Sequence, residues 1–146
     1  MAGLSYPTIQ TRPIIGSKSG TTRTSVALPT SYDAVVTKTF SAARWSKLNL
    51  DILYTMGAAE TANTIETKVE GSPDGTNFYR IPNESVASGT SSLFAREFTF
   101  LGADAAAATI SIGLDIFYKY VKVSCKETGV AANAGTVYVE ATLSGQ

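Results

Sequence analysis

From residue 33 onward, apolar and polar residues alternate with a period of two, and this constrains the fold more than any other feature. In "SKLNLDILY", Leu48, Leu50, Ile52 and Tyr54 share one face while Lys47, Asn49 and Asp51 share the other. In "TIETKVE", Ile65, Thr67 and Val69 oppose Glu66, Lys68 and Glu70. In "TVYVEATL", Val137, Val139, Ala141 and Leu143 oppose Tyr138, Glu140 and Thr142. Successive side chains of a strand point to opposite faces, so this alternation specifies half-buried antiparallel strands. No segment has an amphipathic helical period, and the alanine-rich "ADAAAAT" is at most one short turn.

The run "TISIGLDIFYKYVKVSC" changes parity partway. Ile110, Ile112, Leu114 and Ile116 hold even positions, then Val121, Val123 and Cys125 hold odd ones. A one-residue shift moves every side chain to the other face, so a bulge or short connection is expected near residues 117–119. About eight strands result, over residues 34–40, 46–54, 64–71, 77–82, 93–101, 109–116, 119–126 and 136–143. The expected fold is all-β, a single antiparallel β-sandwich, jelly-roll-like or immunoglobulin-like; pattern alone does not choose between them. A chain of 146 residues suits one domain. It can bury roughly two thirds of its unfolded surface, so it needs no disulfide or metal to fold.

Residues 1–32 differ in kind. "GSKSGTTRTS" lies at their centre, and their apolar residues follow no period. They hold Arg12, Lys18 and Arg23 and no acid, a charge of +3, against nine bases and twelve acids in residues 33–146, a charge of −3. The reading is an extended N-terminal arm on a body spanning residues 33–146. It is either a flexible tail or a strap along a neighbouring subunit, ordered on binding. In the second case Arg12, Lys18 and Arg23 meet acidic groups of the partner, Tyr6, Ile14 and Ile15 are its apolar contacts, and the body folds without residues 1–30. Three charges over 32 residues are too sparse for a nucleic-acid tail. The N-terminus lacks the pattern of a signal peptide and no run approaches a membrane span, so synthesis in a cytoplasm without cleavable export is expected. The match to a glycosylation sequon at Asn83-Glu84-Ser85 is then accidental.

The chemistry of catalysis is poorly represented. The chain has no histidine and one cysteine, Cys125, at the end of an apolar strand, where a buried structural thiol is expected. No glycine-rich phosphate loop occurs. The acids fall on polar strand faces or in turns, and Glu66, Glu70 and Glu140 read as a solvated face. Asp104 and Asp115 flank strand ends, but no Asp-x-Asp-x-Asp-Gly cluster supports calcium. The chain is expected not to be an enzyme and to carry no cofactor. Among the aromatics, Phe94, Phe98 and Phe100 alternate on one face as core, Trp45 precedes a strand as a packed edge, and Tyr118 and Tyr120 with Lys119 and Lys122 are placed to decorate a surface. In "TKVEGSPDGTNFYRI", Pro73 presets φ, Asp74 and Asn77 suit the polar corners of a turn, and Gly75 permits positive φ, so the stretch is a hairpin.

Two resemblances rest on these residues. "VEGSPDGTNFYRI" followed by "YKYVKVSC" is similar to the "SxDGxxW … RYVRV" signature of discoidin-type sugar- or lipid-binding jelly rolls. Phe78 or Tyr79 stands in place of the tryptophan, Lys122 in place of the second arginine, and the framing cysteines are missing. This resemblance implies a carbohydrate-binding module or virion adhesin, with Trp45, Asp74, Asn77 and Tyr79 as glycan contacts. More of the chain resembles the capsid decoration (cement, or head auxiliary) proteins of tailed bacteriophages. The shared traits are the Ser/Thr/Ala/Gly-rich composition, the arm, the hairpin, the "YVKV" strand and the last strand "GTVYVEATLSG". That resemblance implies a non-enzymatic homotrimer on the outside of the virion, assembled in the host cytoplasm. Its partner is the major capsid protein, with no nucleic acid and no membrane, and it stabilises the head at subunit junctions.

Overall fold

The computed structural model describes residues 9–60, 63–80, 96–101, 107–130 and 132–145. Their strands are β1 (Ile9–Ile15), β2 (Ser17–Ser19), β3 (Thr22–Thr24), β4 (Val26–Ala27), β5 (Thr37–Ser41), β6 (Lys47–Thr55), β7 (Thr64–Ser72), β8 (Tyr79–Arg80), β9 (Arg96–Leu101), β10 (Ala107–Asp115), β11 (Tyr120–Thr128) and β12 (Thr136–Ser144). They form two five-stranded antiparallel sheets and a separate two-stranded one, β2-β3. The first has the order β1-β12-β6-β10, with β4 continuing beside β12; the second has β5-β11-β7-β8, with β9 also beside β7.

This wiring chooses between the two sandwiches left open by the sequence. From β5 onward the chain crosses between the sheets at nearly every step: β5 second, β6 first, β7, β8 and β9 second, β10 first, β11 second, β12 first. In an immunoglobulin sandwich several hairpin-linked neighbours share a sheet. Here, among the described strands, only β2 with β3 and β7 with β8 are sequence neighbours that pair. The orders β1-β12-β6-β10 and β5-β11-β7-β9 are those of an eight-stranded jelly roll.

The period-two faces pack as expected. Leu48, Leu50, Ile52 and Tyr54 from β6, Val137, Val139, Ala141 and Leu143 from β12, and Ile112 and Leu114 from β10 face Ile65 and Val69 from β7 and Val121, Val123 and Cys125 from β11. The parity change is a connection: β10 ends at Asp115, β11 starts at Tyr120, and the residues between cross from one sheet to the other. Phe94, Asn83-Glu84-Ser85, Asp104 and Tyr6 lie outside the described residues.

The N-terminal segment is extended, but residues 9–28 lie on their own body. β1 pairs with β12 from Ile9↔Ser144 to Ile15↔Val139, and β4 takes up the same edge at Val26↔Val137. Ile14, Ile15 and Leu28 are buried in the core, so the two isoleucines expected to meet a partner are filled into their own sandwich. Burying three such side chains is worth roughly 4–9 kcal/mol, comparable to the whole stability of a typical domain. Deleting residues 1–30 therefore removes an edge strand and part of the core, and no folding boundary falls at residue 32.

Between β1 and β4 the chain leaves the edge at Gly16, where φ is 80°. It then makes the small hairpin β2–β3, paired Ser17↔Thr24, Lys18↔Arg23 and Ser19↔Thr22. That hairpin covers the outer face of β12. Tyr138 and Glu140 belong by parity to the polar face, yet they are 0% and 4% exposed. Glu140 is thus no part of a solvated face. Glu66 and Glu70, on the outer face of the second sheet, are half-buried in a ladder of ion pairs with Lys126, Lys68 and Lys122.

Candidate functional site

The arm's three cations are all used within the chain. Lys18 Nζ donates to Glu140 Oε1 at 3.0 Å and Arg23 to Glu140 Oε2 at 3.2 Å. The Arg23 guanidinium also sits 5.5 Å from the centroid of the Tyr138 ring. Burial pushes the Glu140 carboxyl up, but the Lys18 hydrogen bond and the charges of Lys18 and Arg23 outweigh it and hold the group below the ordinary glutamate value. Burial likewise raises the Tyr138 phenol, with the Glu140 charge adding to it and Arg23 opposing. The Tyr138 hydroxyl lies close enough to feel both charges but makes no hydrogen bond of ordinary geometry. Arg12 closes the side of the sandwich: its guanidinium is 5.3 Å from the Phe40 centroid and donates to the Ser41 carbonyl at 3.4 Å.

The turn between β7 and β8 consumes its own polar groups. Asp74 Oδ1 accepts from the Thr76 and Asn77 amides, each at 2.8 Å, and from the Ser72 hydroxyl at 2.9 Å. Asp74 Oδ2 accepts from the Asn77 side-chain amide at 2.7 Å. The Asn77 and Thr76 amides, with the Asn77 and Ser72 side chains, hold the Asp74 carboxyl far below the usual carboxylate range. Gly75 has φ 79°, as the turn requires. Asp74 and Asn77, expected as glycan contacts, are therefore committed to shaping the hairpin. Tyr79 is half exposed on the short β8.

Two buried acids lie toward the far end of the sandwich. Glu127 is 0% exposed; its Oε1 accepts from the Tyr54 hydroxyl at 2.6 Å and Asn63 Nδ2 at 3.2 Å, and its Oε2 from the Gly135 amide at 2.7 Å. Glu60 Oε1 accepts from the amides of Ala132 and Asn133, both at 2.7 Å. Burial and these two carboxylates, Glu127 first, push the Tyr54 phenol far above its usual value. The acids pin the loop between β11 and β12. The sequence signal for Glu127 was available: it continues the inward parity of Val121, Val123 and Cys125. Among the described residues no group of three or more His, Cys, Asp or Glu side chains is placed to hold a metal, and Asp115 pairs with Lys47 at 3.3 Å.

Among the described residues, a groove of about 420 Å³ is lined by Ala42, Ala43, Trp45, Ile116, Phe117, Tyr118 and Lys119. Its walls are the β5–β6 and β10–β11 crossovers, clipped together by Ala42 N–H to Lys119 O at 2.7 Å and Ile116 N–H to Ser46 O at 2.8 Å. Trp45 and Tyr118 pack against the core, and the Tyr118 ring lies so close over Gly71 that a Cβ there would overlap it. Phe117 is 83% exposed. Of the four residues expected to contact glycan, the structure brings only Trp45 to this groove. Phe117 was missed because its place at the parity break marked it only as a connection.

No protein-family model matches the chain, and no characterised protein matches it by sequence at a significant level. Among solved structures, the chain is similar to a protein from a study reporting that Bacillus endospore appendages form a family of disulfide-linked pili. The TM-score there is 0.41 at 11% identity, over 99% of this chain and 94% of that one. It is also similar to an exo-β-1,3-galactanase from Phanerochaete chrysosporium, with TM-score 0.41 and 11% identity over 94% of this chain and 30% of that one. Likeness at this level carries no argument about function.

Proposed function

We propose that the chain is a non-enzymatic structural protein of a virion that binds the outer surface of the head and stabilises junctions between major capsid subunits. The reading rests on the resemblance to decoration proteins of tailed bacteriophages, and self-association as a homotrimer belongs to it. The observation that carries it furthest is the β2–β3 hairpin. It is a polar, largely exposed element tied to the body by the two ion pairs to Glu140 and the stacking of Arg23 on Tyr138. With Glu140 buried and both cations part-exposed, the pairs hold the hairpin by only roughly 1–2 kcal/mol, little enough for equivalent contacts on a neighbouring surface to replace them. Lys18 and Arg23 then supply the cations, and the jelly roll stays folded behind them. Jelly rolls serve in viral capsid and lectin domains alike, so the fold by itself does not decide the role.

The test is co-sedimentation with heads of the virus that encodes the chain, comparing wild type with a variant in which a two-residue turn replaces residues 17–24. Wild type pelleting with heads, and the variant remaining folded but soluble, supports the proposal. Failure of wild type to pellet, or undiminished pelleting of the variant, argues against it.

A further inference from the structure

We propose that the groove between the two crossovers is a binding site for an anionic oligosaccharide. Three observations converge on it. The first is shape: a volume of about 420 Å³ falls within the range of small-ligand sites, about 300–1,000 Å³. A stable protein contact instead takes about 800 Å² from each partner, with charge depleted at its centre.

The second is pre-organisation. Two backbone hydrogen bonds join the walls, and Trp45 and Tyr118 are held by the core, Tyr118 also by the bare backbone of Gly71. Of the three aromatic rings, only Phe117 projects into solvent. Aromatic faces carry negative quadrupole density, which attracts the weakly positive C–H face of a sugar ring. Fixed walls with one exposed ring suit stacking without a large ordering cost.

The third is charge. Residues 42–46 and 116–119 contain Arg44 and Lys119 and no acid. Both cations are exposed. Neither forms an ion pair among the described residues, whereas nearby Lys47 is neutralised by Asp115. Lys119 lines the groove; Arg44 does not, although its sequence neighbours Ala43 and Trp45 do. Lys119 Nζ lies 5.5 Å from the Tyr120 ring centroid, and a lysine on the groove wall with no acidic partner among the described residues favours carboxylate or sulfate on the sugar. The arrangement is independent of the hairpin, so it adds a second surface to the proposed virion protein.

Trp45 is the only tryptophan, so its emission reports directly from the groove. Titrations of the full chain use an oligogalacturonate, a heparin-derived hexasaccharide and a neutral galacto-oligosaccharide. The expected result is a saturable change in Trp45 emission with at least one anionic ligand, weakened by NaCl, and at least about tenfold weaker binding of the neutral one. Phe117→Ala, at an exposed position that leaves the fold intact, weakens binding by about tenfold. Lys119→Gln weakens it several-fold and reduces its salt dependence, Arg44→Gln weakens it less, and Tyr79→Ala leaves it unchanged. Absence of saturable change with both anionic ligands, equal affinity for the neutral one, or Phe117→Ala binding like wild type overturns the proposal. Binding by the carboxylated but not the sulfated ligand, or the reverse, supports it and identifies the anion.

Discussion

Replacing Glu140 by glutamine removes the charge that ties the β2–β3 hairpin to the first sheet. The side chain of Glu140 is 5% exposed, while those of Lys18 and Arg23 are 31% and 41% exposed. A hydrogen bond to a buried charged group contributes about 1.5–3 kcal/mol and an exposed pair about 0.2–1. With one partner buried and the other two half in water, the two pairs together come to roughly 1–2 kcal/mol, a factor of about 5–30 in the opening equilibrium. Amide hydrogen exchange over residues 17–24 should accelerate by that factor, while the core of β6 and β12 keeps its protection. Asp115→Asn is the control: it breaks an exposed pair with Lys47 and should change its surroundings by less than about 0.5 kcal/mol. Acid acts in the same direction as the substitution. The folded pKa of Glu140 is depressed below the ordinary 4.5, so its contribution is complete above pH about 4.5 and is lost as pH falls through the lower folded value. Exchange over residues 17–24 in Glu140→Gln that matches wild type, or a change no larger than the Asp115→Asn control, would refute the tether.

Other predictions follow from the interior. Glu127→Ala leaves the Tyr54 hydroxyl, the Asn63 amide and the Gly135 N–H without their acceptor; urea unfolding should show a loss of roughly 3 kcal/mol or more, and a loss below about 1 kcal/mol would contradict the account. Burial pushes the Cys125 thiol up to about 11 against a small opposing pull from Thr67, so a thiol reagent at pH 8 should label it only after denaturation; rapid labelling of the native chain would show the thiolate accessible. Gly71→Ala drives a methyl group into the Tyr118 ring and should cost about 1–3 kcal/mol, with a shift in Trp45 emission as the groove wall moves; unchanged stability and emission would mean that Tyr118 is not seated there.

The strands that carry the core were legible because apolar and polar residues alternate along each, even in β12, whose polar face is covered. β6, β7 and β12 alternate without a break, and the parity change after Ile116 located the crossover between sheets. The N-terminal strands were not legible. β1 is an edge strand with Pro13 in its middle, and only its last residues, Ile14 and Ile15, are buried. A proline is tolerated there because an edge strand need not donate every ladder bond. The hairpin residues are exposed throughout, so they show no alternation, and their effect is visible only on Tyr138 and Glu140 beneath them. The same limit applies to the sites. The chemistry of Asp74 and Asn77 was recognisable as turn chemistry, but its saturation by Ser72, Thr76 and Asn77 is a matter of geometry. The groove joins residues some seventy positions apart, Ala42 to Trp45 and Ile116 to Lys119, and no local pattern announces a contact between two crossovers.

The most direct test of the proposed virion role is a density map of an assembled particle that contains the chain. The account predicts a jelly roll on the outer head surface at junctions between major capsid subunits, with residues 17–24 seated on a neighbouring subunit. A chain located in the tail would contradict it, as would head binding with the hairpin still closed over Glu140 and facing solvent.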